Sequence, residues 1–122
     1  MANGTDKVPE LLDAIAVVDG AIALAEGALH DNPSLAEERA LNRTLLRLNA
    51  ERAVLEAQLD AALAGSTLVQ GPSDAQLAQI AALSEEVEQA TNAATTVSAR
   101  IALTTKVLTL ASSVLAPKPK PA

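Results

Sequence analysis

The stretch NPSLAE, at residues 32–37, contains a clear helix start. Its proline stops a preceding helix from continuing, and Ser34 followed three residues later by Glu37 is the pattern of a capping box, in which each side chain accepts a hydrogen bond from the other residue's backbone N–H. The stretch GPSDAQ, at residues 71–76, repeats the pattern with a serine followed three residues later by a glutamine. Two such starts divide the chain into three helical segments.

Apolar residues in these segments recur three and four positions apart, as they do on one face of an α-helix. The predicted organisation is an N-terminal arm at 1–7, a single three-helix domain at 8–116 with helices at about 8–30, 35–64 and 74–115, and a Pro/Lys tail at 117–122. Short turns make successive helices antiparallel, and sustained seven-residue repeats favour coiled-coil-like packing. We therefore expect an all-α fold, an antiparallel three-helix bundle whose long third helix overhangs the first two.

The composition argues against several classes of protein. The chain has 122 residues, of which 49% are hydrophobic and none is Phe, Tyr or Trp, so its core must consist of aliphatic side chains. The leucine and alanine that dominate such a core favour helix. A net charge of −6 argues against nucleic acid as a partner, because that interaction requires a basic surface. Without cysteine, the chain can form neither disulfides nor thiolates.

The sequence predicts neither a secretion signal nor a membrane-spanning helix. Residues 1–13 lack the apolar run that follows the basic start of a signal peptide. The longest nearly uncharged stretch, residues 101–116, contains Lys106 and is shorter than the ~20 apolar residues that a spanning helix needs. We therefore expect a cytoplasmic protein.

The residues that commonly carry catalysis or bind metals are few. The single histidine, His30, falls at the end of the first predicted helix, where a positive charge interacts favourably with the helix dipole. The neighbouring acids Glu85, Glu86 and Glu88 have no His or Cys beside them to complete a metal site, so we expect them to be solvated. The sequence contains no glycine-rich phosphate loop and no nucleophile elbow. We expect no enzymatic activity, no cofactor and no bound metal.

Charged residues predict how the helices pair. Arg39, Arg43 and Arg47 stand four positions apart on the second helix. Their positive charges repel one another unless acidic residues of a neighbouring helix pair with them. Folding the chain back at its two turns gives four expected pairs: Glu26 with Arg39, Asp19 with Arg47, Arg52 with Glu86, and Glu38 with Arg100. Exposed pairs of this kind contribute only ~0–1 kcal/mol each, so they mainly orient the helices.

The C-terminal part of the third helix is the expected contact surface. In the register above Leu35 lies opposite Leu103, which leaves residues 104–115 without a neighbour in the chain if the third helix is straight. A bend near Thr104–Thr105 would instead fold this segment back onto its own bundle. Burying five aliphatic side chains is worth about 10 kcal/mol, so an uncovered patch of this size is typical of a contact site. The candidate interface residues are Ile101, Thr105, Val107, Leu108, Leu110, Ser112, Val114 and Leu115.

Two functions from different classes fit this pattern. The first is a non-enzymatic helical assembly or protein-binding module, which forms a homo-oligomer or docks a protein partner through the C-terminal half of the third helix. The alternative is a membrane-associated or membrane-inserting helical protein that uses residues 101–116. Lys106, the shortness of the apolar stretch and the absence of aromatic anchors disfavour the membrane, so the assembly module is the preferred hypothesis.

Overall fold

The computed structural model describes residues 7–66, 68–93 and 95–116. In these ranges the chain forms α-helices and no strand, which confirms the all-α class. The helices are α1 (Val8–Leu29), α2 (Leu35–Leu63), α3 (Asp74–Asn92) and α4 (Val97–Leu115). Apart from Lys7, the predicted arm at residues 1–7 and the predicted tail at residues 117–122 lie outside the described residues.

Both predicted capping boxes are present. The Ser34 hydroxyl accepts a hydrogen bond from the Glu37 N–H at 3.1 Å, and the Glu37 carboxylate accepts one from the Ser34 N–H at 2.9 Å. Ser73 and Gln76 make the same two bonds at the start of α3. The turn before α2 also contains Asn32 in the left-handed region, with φ 53°. These local signals explain why the ends of α1 and the starts of α2 and α3 could be predicted closely.

The prediction of a single long third helix is wrong, because the chain reverses direction between α3 and α4. Ala93 has extended backbone, with φ −115° and ψ 153°. Thr96 is also extended, and its hydroxyl accepts a hydrogen bond from the Ala99 N–H at 3.1 Å, so it caps the start of α4. Ending a helix loses a few backbone hydrogen bonds, but it lets α4 bury apolar side chains worth about 10 kcal/mol. The bend therefore lies before α4 and not at Thr104–Thr105, which are inside that helix.

The four helices pack as a bundle in which two of them are central. α1 contacts each of the other three helices, and so does α4. α2 and α3 do not contact each other, and they lie on opposite sides of the α1–α4 pair. Around the bundle the order is therefore α1, α2, α4, α3.

α1 and α3 run in the same direction. A Cβ added to Gly20 of α1 would lie 3.0 Å from Val87 of α3, and one turn further along both helices Leu24 and Thr91 line one groove. The chain reaches α3 by crossing the end of the bundle, where Gly71 and Pro72 are buried. The connection between α2 and α3 thus spans the bundle instead of forming a tight hairpin.

α2 and α4 also run in the same direction. The Ser112 hydroxyl of α4 donates a hydrogen bond to the Glu51 carboxylate of α2 at 3.0 Å, and Leu41 and Ile101 belong to one apolar cluster nearer the starts of these helices. The short α3–α4 connection makes α4 antiparallel to α3. Two parallel pairs therefore pack side by side, in place of the antiparallel three-helix bundle that we expected.

The core is aliphatic, as the composition predicted. Leu11 of α1 and Leu48 and Leu55 of α2 have no exposed surface. Val107 of α4 is equally buried and belongs to the same cluster. Because α4 packs between α1, α2 and α3, it covers the faces of these helices that point inward.

Candidate functional site

The residues of the expected C-terminal interface lie largely inside the protein's own bundle. Four of them are buried in the core: Val107, Leu108, Leu110 and Val114. Three are partly buried, namely Ile101, Ser112 and Leu115, while Thr105 is exposed. The overhang that made this segment a candidate interface does not exist, because α4 folds back onto α1 and α2.

The observed ion pairs differ from the expected ones. Arg52 donates hydrogen bonds to Asp19 of α1 and to Glu56 one turn further along α2, and not to Glu86. Glu86 is on α3, which does not contact α2. The hydrogen bond to Asp19 and the charge of that carboxylate raise the pKa of Arg52 above its ordinary value. α1 and α2 are neighbours as predicted, but Asp19 binds Arg52 and not Arg47.

Arg100 also has a partner other than the expected Glu38. Its guanidinium donates hydrogen bonds to the Asp31 carboxylate and to the Thr95 carbonyl, both at 2.7 Å. It therefore ties the α3–α4 connection to the α1–α2 turn. In the described part of the chain, Glu26 and Arg39 form no ion pair either, so none of the four expected pairs is present there.

The described residues show no metal-binding cluster and leave the single histidine on the surface. His30 is exposed and terminates α1, where its backbone N–H donates to the Gly27 carbonyl at 3.1 Å. Among these residues, no three His, Cys, Asp or Glu side chains come together as a metal ion would require. Within the same ranges, no helix has both the length and the apolar character needed to cross a lipid bilayer.

The outer side of α2 is the unusual surface of the molecule. Its leucine Leu46 is 74% exposed, although the chain buries other leucines of α2 completely. Arginines stand beside it, and within the described residues no acid approaches Arg39, Arg43 or Arg47 to ion-pair distance. We name this surface the α2 face, and its exposed residues are Leu35, Arg39, Arg43, Leu46, Arg47 and Val54.

The sequence contained half of the signal for the α2 face. The four-residue spacing of Arg39, Arg43 and Arg47 was visible, but we expected ion pairs between these arginines and acids of the first helix. Leu46 itself falls outside the apolar stripe through Leu41, Leu45 and Leu48, but the fact that its side of α2 stays uncovered was not visible. It follows from the fold, in which α2 contacts only α1 and α4 and leaves its far side uncovered.

A second surface involves α3, the helix on the opposite side of the bundle from α2. A groove of about 580 Å³ runs between α3 and α4, lined by the apolar residues Leu83 and Leu110 and by the charged residues Glu86 and Lys106. We name it the α3–α4 groove. Glu85 and Glu88 are exposed on the same helix as Glu86, and together these three carboxylates form what we name the acidic patch.

Comparison with known proteins gives no match: no protein-family model, no curated protein sequence and no solved structure is significantly similar to this chain. Its function must therefore be argued from its own surfaces.

Proposed function

We propose that the chain is a non-enzymatic helical assembly module, which self-associates through the α2 face. The observation that carries this proposal is the exposure of Leu46, at 74%, between the unpaired arginines Arg43 and Arg47. The α2 face replaces the C-terminal half of the third helix as the proposed contact surface, because α4 already packs on its own bundle.

The α2 face is unfavourable in the isolated chain and becomes favourable in a contact. Fully burying a leucine side chain is worth ~1.5–3 kcal/mol, and Leu46 does not gain this while it is in water. Like charges four residues apart on a helix cost ~0.2–0.5 kcal/mol per pair, a cost that a partner carrying acids removes. Arginine is also enriched at protein–protein contacts, where its guanidinium forms bidentate bonds with carboxylates.

The proposal is tested by the mass of the particle in solution. We expect the wild-type mass to rise with concentration above about 10 µM, as for a micromolar contact, and the variant Leu46→Asp to stay close to the monomer. The matched control is Leu68→Asp, which makes the same change at a leucine that is 89% exposed but lies in the α2–α3 connection. Light scattering and sedimentation give the masses.

A wild-type chain that remains monomeric up to about 1 mM, where the free energy of association would be weaker than ~4 kcal/mol, contradicts the proposed function. Equal losses of mass in Leu46→Asp and Leu68→Asp would also contradict it. Such a result would show that added charge, and not the α2 face, controls association.

A further inference from the structure

We infer that the α2 face of one copy binds the acidic patch and the α3–α4 groove of a second copy, so that copies associate head to tail. This inference rests on the proposed function, and it adds the surface that receives the α2 face.

Charge complementarity selects this partner surface. The α2 face carries Arg39, Arg43 and Arg47, while the acidic patch carries Glu85, Glu86 and Glu88, and both groups are exposed. A contact between two α2 faces would instead bring two rows of arginine together, and opposed like charges disfavour such a contact strongly. A contact between an α2 face and an acidic patch instead places the arginines of one copy against the carboxylates of the other.

The two surfaces cannot meet within one chain. α2 and α3 lie on opposite sides of the bundle and make no contact with each other. The arginines of the α2 face therefore reach the acidic patch only in another copy. Each copy carries both surfaces, and because they lie on opposite sides, occupying one leaves the other free.

The hydrogen bonds between helices place these surfaces at the same height along the bundle. Ser112 of α4 donates to Glu51 of α2, and these two helices run in the same direction. Eight residues before Glu51 is Arg43, and eight residues before Ser112 is Thr104. Arg43 is therefore level with Thr104, since each residue of a helix advances ~1.5 Å along its axis.

The same reasoning relates α4 to α3. The Gln76 amide of α3 donates to the Ser113 hydroxyl of α4 at 3.1 Å, and these helices are antiparallel. Nine residues before Ser113 is Thr104, and nine residues after Gln76 is Glu85. The centre of the arginine row and the acidic patch thus lie at one level. Two copies placed side by side, with parallel axes and no shift, bring opposite charges together.

This alignment also places Leu46 opposite the α3–α4 groove. Leu46 is three residues beyond Arg43, which makes it level with Ala82, three residues before Glu85 on the antiparallel α3. Ala82 lines the groove together with Leu83. A protruding leucine on a helix therefore meets a small side chain and an apolar surface, as in other contacts in which a helix docks in a groove.

Such a contact generates a series of copies and not a two-fold symmetric dimer. Head-to-tail contacts form rings if the rotation between copies closes, and filaments if it does not. The α2 face, from Leu35 to Val54, is only about 30 Å long. One face of a single helix of this length is small for a protein interface, so we expect the contact to be weak and to require high concentration. Lys106 lies beside Glu86 in the groove and weakens it further.

Charge reversal on each surface separately tests the inference. The α2 variant carries Arg39→Glu and Arg43→Glu, and the α3 variant carries Glu85→Arg and Glu86→Arg. We expect each variant alone to associate at least 10-fold more weakly than the wild type, as measured by sedimentation equilibrium. An equimolar mixture of the two variants should recover association to within about 3-fold of the wild type, because each reversed surface then meets a reversed partner.

The net charges of the variants provide an internal control. Each Arg→Glu change removes two charge units and each Glu→Arg change adds two, so the net charge goes from −6 to −10 in the α2 variant and from −6 to −2 in the α3 variant. General repulsion would make the α3 variant associate more strongly than the wild type. A loss in both variants therefore requires a specific contact. Because all four residues are exposed, unchanged circular dichroism should show that both variants fold.

Two outcomes would overturn the inference while the proposed function stands. In the first, the α2 variant loses association and the α3 variant keeps it, so that the α2 face binds some other surface. In the second, both variants lose association and their mixture does not recover it. If the wild type itself does not associate, the proposed function and the inference fail together.

Discussion

α4 and α2 use their apolar residues in opposite ways. α4 buries seven of its 19 residues, while α2 buries only five of 29. The difference follows from their places in the bundle, since α4 contacts all three other helices and α2 contacts two. An apolar helix whose neighbours cover it is structural, whereas a charged helix that leaves leucines in water has a surface free for a partner.

The largest effect should come from a charge placed in the buried part of α4. Val107 has no exposed surface, and we expect Val107→Asp to unfold the chain or destabilise it by more than about 4 kcal/mol, because the charge has no partner in the core. Urea unfolding followed by circular dichroism measures this. The exposed neighbour Thr105, replaced by Asp, should change stability by about 0.5 kcal/mol or less.

If Val107→Asp instead leaves a folded chain of lower mass, α4 contributes to an interface between copies and not to the core. The comparison between α4 and α2 would then be reversed, and the earlier expectation for this segment would be restored.

Two leucines of α2, two residues apart, give a second and smaller contrast. Leu48 is fully buried, so Leu48→Ala should destabilise the chain by ~2–5 kcal/mol through lost burial and the cavity that remains. Leu46→Ala should lower the free energy of unfolding of the monomer by no more than about 0.5 kcal/mol, because the Leu46 side chain is mostly in water. Chemical denaturation at low concentration compares them, and equal costs would show that both side chains face the core.

The sequence predicted the parts of the fold that depend on local signals. The capping boxes at Ser34 and Ser73 gave the starts of α2 and α3, and the apolar periodicity gave the aliphatic core. The end of α3 has no comparable signal, since neither glycine nor proline interrupts the chain there. Thr96 caps α4 without a Glu or Gln three residues later, and so its capping pattern is incomplete.

The candidate site could not be predicted because it depends on that missed reversal. With one long third helix, residues 104–115 have no neighbour and become the obvious contact surface. Once α4 folds back, these residues are covered, and the uncovered side of α2 becomes the proposed contact surface. The pair Arg52–Glu86 failed for the same reason, because α2 and α3 do not touch, whereas Asp19 of the neighbouring α1 pairs with Arg52 in place of Arg47.

Disulfide trapping tests most directly the claim that the α2 face meets α3 of another copy. The chain has no cysteine, so each introduced cysteine is the only thiol in its variant. One variant carries Leu46→Cys and the other Ala82→Cys. These two positions lie at the same level along the bundle axis, so the proposed contact brings them together. They are mixed at a concentration at which the wild type associates, and then oxidised. A variant with Leu68→Cys, mixed with Ala82→Cys, gives the background rate of random collision.

We expect the mixed disulfide between Leu46→Cys and Ala82→Cys to form at least 10-fold faster than either symmetric disulfide and faster than the Leu68→Cys background, as measured by non-reducing electrophoresis and intact mass. A symmetric Leu46→Cys dimer as the main product would contradict the account, because it would show that two α2 faces meet. Mixed product at only the background rate would contradict it as well.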